Sequence, residues 1–145
     1  MRKIVLATSA FALLLVTHAC KKSSSSSSAK TEANLSGSYN LTAAKGVILG
    51  QTVNLYDSLP ACEKDNVIQL KTGGVANFID ADSVCSPPSD STGTWSLSQN
   101  TDTIYIGNQN YFINSWDGKT LVLYNNQNFT GIPFPVSVTA TLVKQ

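Results

Sequence analysis

Cysteine carries the most distinctive chemistry in this 145-residue chain, at Cys20, Cys62 and Cys85. Cys62 and Cys85 are not spaced Cys-x-x-Cys, so a redox relay has no support and both read as structural. Exported proteins tend to pair their thiols, and three leave one over. The economical pairing joins Cys62 to Cys85 and leaves Cys20 for other chemistry. The acids offer less. Asp80-Ala81-Asp82-Ser83 sets two carboxylates two residues apart, which could give oxygens to calcium. It lacks the glycine and distal glutamate of an EF-hand, and a solvated acidic loop beside a disulfide is the preferred reading. Asp57, Glu63 and Asp65 read as loop acids too. The one histidine, His18, lies near the N-terminus, in a segment expected to be removed. Without it, Ser-His-Asp, Cys-His and His-metal arrangements lose their base or ligand. The expectation is a non-catalytic protein with no metal and no cofactor.

The N-terminal segment explains that removal. Arg2 and Lys3 precede the apolar run Ile4 to Val16, and Thr17-His18-Ala19 ends in a small residue. This is the charged, apolar, small-residue order of a secretory signal, expected over residues 1–19. The run is too short to cross a bilayer, which takes about 20 residues. Lys21-Lys22 and the serines 23–28 follow, a tract with nothing to bury and the composition of a flexible tether over 20–34.

Val16-Thr17-His18-Ala19-Cys20 resembles a lipobox, where a lipoprotein signal peptidase cuts before an acylated cysteine. The resemblance implies acyl chains, palmitate among them, on Cys20. It also implies a lipid-anchored protein in the cell envelope of a Gram-negative bacterium, on the outer membrane. Cleavage after Ala19 by the general signal peptidase is the alternative, and leaves a free N-terminal thiol.

From Leu35 the period changes to two. Phe134, Val136, Val138, Ala140 and Leu142 share one face of a strand, with polar residues mostly opposite. Val47 to Leu55, Trp95-Leu97, Ile104-Ile106, Tyr111-Ile113 and Leu121-Leu123 repeat the alternation. Gly73-Gly74 and Asp117-Gly118 suit tight hairpins, and Gly107 to Asn110 and Lys45-Gly46 mark further turns. These signals predict an all-β fold, an antiparallel up-and-down meander of eight or nine strands closing into a barrel over 35–145. Closure removes exposed strand edges. A Cys62–Cys85 bond would staple the loops flanking the hairpin of Val67–Lys71 and Val75–Ile79.

Charge excludes one class of partner. Without residues 1–19 the chain has eight Lys/Arg against nine Asp/Glu; from Asn34 onward, five against eight. No basic stripe is present to neutralise phosphates, so nucleic acid is not an expected partner.

The order of signals resembles the lipocalin-like domains of bacterial lipoproteins. The residues that carry it are Leu35-Ser36-Gly37-Ser38-Tyr39, Ala61 to Ile68 with Cys62, Gly73-Gly74, Cys85, Gly93-Thr94-Trp95-Ser96-Leu97, Tyr111-Phe112-Ile113 and Leu121-Val122-Leu123. Tyr39 stands where that family places a tryptophan in its first strand. The resemblance implies a barrel that holds a small apolar ligand, and the expected lining is Leu41, Phe78, Trp95, Ile104, Ile113 and Leu123. The competing reading is a filled barrel that acts through its loops, with Phe129 to Phe134 as the apolar segment. An interior cavity of about 300 Å³ or more would separate the two.

Overall fold

The computed structural model describes residues 28–145. The expected signal segment, Cys20 and the tether through residue 27 lie outside the described residues.

Nine strands form one antiparallel sheet: β1 (Gly37–Ile48), β2 (Gln51–Asn54), β3 (Val67–Lys71), β4 (Val75–Ile79), β5 (Ser91–Leu97), β6 (Thr103–Ile106), β7 (Gln109–Trp116), β8 (Thr120–Gln127) and β9 (Val136–Lys144). Each strand from β3 to β8 pairs with its successor, and β1 pairs with both β3 and β9. Eight strands therefore close into a barrel. β2 is the extra one. β3 takes the early part of one β1 edge, from Gly37 to Asn40, and β2 takes the late part of that edge, from Lys45 to Ile48.

Alternation decides which side chains face inward. On β1 the inward positions run Tyr39, Leu41, then Ala44, Gly46 and Ile48. The change from odd to even follows a bulge between Leu41 and Ala43. A second bulge lies between Ile113 and Ser115 on β7, so Ile113 and Trp116 both point inward. An extra residue at each site bends and twists its strand, as a closed barrel requires.

Two expectations change. Lys45-Gly46 is not a turn, and Val47 to Leu55 is not one strand. The chain reverses at Leu49-Gly50, with φ of 49° and 77°. A two-residue turn positive at both positions matches the twist of a hairpin. Gly46 is a packing glycine instead. A β-carbon there would sit 3.1 Å from Leu55 Cδ1 and 3.3 Å from Val136 Cγ1.

One end of the barrel is shut. The helical turn α1 (Glu32–Leu35) lies across it, with Leu35 and Tyr39 fully buried. The Tyr39 hydroxyl donates to the Leu35 carbonyl at 2.7 Å, and its ring packs 6.3 Å from that of Trp116. Burial pushes the Tyr39 hydroxyl up to about 12, so it stays a donor at neutral pH. Hydrogen bonds lace the segment to the β3–β4 turn and to strands β9 and β7. Gly73 N donates to Glu32 Oε1 at 2.6 Å, Lys144 Nζ to the Asn34 carbonyl at 3.0 Å, and Ser28 N to the Trp116 carbonyl at 3.2 Å. Residues 28–34, read from sequence as the last part of the tether, are thus bonded to the closed end.

The opposite end carries the long loops 55–66 and 80–90. The first holds a 3-10 turn (Tyr56–Ser58) and the helical turn α2 (Ala61–Lys64). A disulfide joins Cys62 in one to Cys85 in the other. Asp80, expected in a solvated acidic loop, is buried instead. Its carboxylate accepts the backbone N–H groups of Cys85, at 3.0 and 3.1 Å to its two oxygens, and of Ser89, at 2.9 Å. Loop 80–90 folds around this side chain, because a buried carboxylate is tolerated only where donors converge on it.

Candidate functional site

The inward side chains divide along the barrel axis. Toward α1 they are buried and packed together. Leu35, Leu70, Ala76, Trp95, Ile104, Ile113, Trp116 and Leu121 form one buried cluster. The Trp95 indole N–H donates to the Lys71 carbonyl at 2.7 Å, which fixes the ring against the β3–β4 hairpin.

Toward the long loops the packing opens. Leu41, Ile68, Phe78 and Tyr111 touch the core cluster yet remain only partly buried, although all face inward. Partial exposure of an inward residue marks a hollow. These four, with Ile106, Gln109, Leu123, Ala140 and Leu142, line a cavity of about 250 Å³. Its wall is apolar apart from the Gln109 amide at the rim and the Tyr111 hydroxyl, and no lining residue is charged. Burial raises the Tyr111 hydroxyl above its usual range, so it too stays protonated at neutral pH.

Three of the six expected lining residues, Leu41, Phe78 and Leu123, are in that wall. The structure places the other three, Trp95, Ile104 and Ile113, in the filled half below it, at 3%, 0% and 6% exposure. Inward direction is legible from period two, but depth along the barrel is not. Ile68, Ile106, Ala140 and Leu142 carried the same alternation signal. Gln109 read as a turn residue, and only the two-residue turn at Gly107-Asn108 makes it the first residue of β7.

A larger depression of about 570 Å³ lies on the outer wall, between Asn40, Thr42, Lys119, Val143 and Lys144. It is wide open to solvent. Its Lys144 ammonium is engaged with Asn34 and with the Trp116 ring, 5.8 Å from the centroid. The interior hollow is the better ligand site, since concave apolar surface with a few polar groups is what small-molecule sites present.

Among the described residues, no group of three or more His, Cys, Asp or Glu is placed to hold a metal ion. The cavity offers neither a nucleophile beside a base nor a pair of carboxylates.

Comparison with known proteins agrees with this architecture. No curated protein and no solved structure matches the chain. The family described as a lipocalin-like domain matches residues 35–123, from Leu35 of α1 to Leu123 of β8. Its members are generally non-catalytic binding proteins. That span covers more than half of the chain, and the chain belongs to the lipocalin-like domain family.

Proposed function

We propose that this protein is a lipid-anchored binding module that holds one small apolar ligand in the open half of its barrel. The cavity between Leu41, Phe78, Tyr111 and Leu123 carries the reading. At about 250 Å³ it falls just short of the roughly 300–1,000 Å³ of drug-sized sites. An apolar cavity of about 150 Å³ already takes up benzene, so the volume suits a small ligand.

The anchor is Cys20, acylated after cleavage behind Ala19. The closed end of the barrel faces the membrane, on the outer membrane of a Gram-negative cell. Support comes from the lipobox-like sequence and from the course of the chain. Ser28 is bonded to Trp116 at the closed end, so whatever precedes it arrives there and the cavity opens away from it.

A filled barrel acting through its loops is the second reading. Phe129, 40% exposed in the β8–β9 loop, is the observation in its favour.

Native mass spectrometry of the protein purified from its host tests the choice. The binding reading predicts a co-purifying small molecule, lost in Ala140→Phe, which fills the cavity from β9. The folded variant should keep its unfolding midpoint or gain on it, because filling a void adds packing contacts. A ligand-free wild type would favour action through the loops.

A further inference from the structure

The proposed binding role leaves open which end-groups the ligand carries, and the charge layout of the barrel answers this. Of the nine residues around the cavity, none is a lysine or an arginine. A carboxylate brought inside would have no cation to pair with and only the Gln109 amide and the Tyr111 hydroxyl to solvate it. Moving an anion out of water without such partners is strongly unfavourable. The rim gives no relief. Loops 55–66 and 80–90, which border the cavity beside Ile68 and Phe78, hold Asp57, Glu63, Asp65, Asp80, Asp82 and Asp90 against one lysine, Lys64. Their summed field repels an anion at the mouth before it enters.

Resting on the binding reading above, we propose that this barrel selects neutral amphiphiles and rejects free fatty acids: an aliphatic alcohol or ester with an end-group that Gln109 can hydrogen-bond, not the carboxylate of the same chain. Gln109 is the specificity-determining residue, since it is the exposed polar residue among those that line the cavity. The aliphatic part lies against Leu41, Phe78, Leu123 and Leu142, apolar side chains that do not distinguish an alcohol from a carboxylate of the same chain length. Discrimination therefore falls on the end-group.

The test titrates 1-octanol and sodium octanoate, separately, into the chain from residue 20 onward carrying Cys20→Ser, so that no detergent competes for the probes. Binding is read from the methyl resonances of Leu41, Ile68, Ile106 and Leu123. Octanol should bind on the order of 30-fold more tightly than octanoate, and the gap should narrow with added salt as the loop charges are screened. Gln109→Arg should raise octanoate affinity at least roughly tenfold, with little change for octanol, by supplying the missing cation. Equal affinity for the two probes would overturn the selectivity while leaving the binding role intact. Failure of both probes to shift those methyls would overturn the selectivity and the binding role together.

Discussion

Two indole rings in the closed half of the barrel show how single polar atoms set local stability. Trp95 and Trp116 are both almost fully buried, at 3% and 2% exposure. The Trp95 N–H has a partner, the Lys71 carbonyl, whereas Trp116 Nε1 is buried with no partner among the described residues. A satisfied buried hydrogen bond contributes about 1 kcal/mol, and stranding one partner costs about 1–3 kcal/mol. Trp95→Phe loses ring area and also strands the Lys71 carbonyl. Trp116→Phe loses similar area but relieves an unpaired donor. Urea unfolding should therefore show Trp95→Phe to be the more destabilising by about 1–2 kcal/mol. Equal losses would mean that the Trp116 indole has a partner after all. Both tryptophans are legible in sequence as inward residues of strands, but their different polar fates are not. The partner of Trp95 lies 24 residues away, across a hairpin.

Among the elements, the strands were the most legible part of the chain and the loops the least. Period two and the turn residues placed β3 to β9 near their observed positions, because one face of each is buried and a slip of one residue would expose it, but they did not mark β1 over Gly37–Ile48. They misjudged Val47 to Leu55, where the turn falls on Leu49, a residue type that seldom takes positive φ. They also could not show that Asp80 folds inward, since that depends on backbone groups five and nine residues further on. The disulfide holds this same loop to loop 55–66 across a sequence separation of 23. Closing a loop of that size is worth about 3 kcal/mol in the chain-entropy model. Cys62→Ser/Cys85→Ser should lower the unfolding free energy by about that much. Amide exchange should rise in loop 80–90 first and leave β7 to β9 protected, because those strands pair without help from either loop. Uniform loss of protection across the barrel would contradict this division.

For the whole molecule, charge and chain path share one axis. The loops beside the cavity hold six carboxylates and one lysine, while the closed end has Lys30, Lys71, Lys119 and Lys144 against Glu32, Asp102 and Asp117. The cationic end is the one the N-terminal segment reaches. Ser28 follows the proposed anchor Cys20 by eight positions, a reach of at most about 28 Å. β1 alone has 12 residues, or roughly 40 Å of strand before tilt. With Cys20 anchored as proposed, that geometry would hold the tip at Leu49 away from the bilayer and the turn at Lys119 near it. In vesicles with headgroup quenchers, a fluorophore at position 119 should be quenched and one at position 49 should not. Cys20→Ser should abolish vesicle association altogether. Equal quenching at both positions would contradict the orientation, and association of Cys20→Ser would contradict the anchor. The sequence pointed to the anchor, but the orientation came from the Ser28 contact alone.

The central claim is that the upper half of this barrel is hollow, apolar and open to a small molecule. A crystal of the domain pressurised with xenon tests it most directly, because xenon enters dry apolar cavities and scatters strongly. The account predicts a xenon peak enclosed by Leu41, Phe78, Tyr111 and Leu123, and no such peak in Ala140→Phe. Closed packing among those four side chains in the wild type, with no xenon between them, would contradict it.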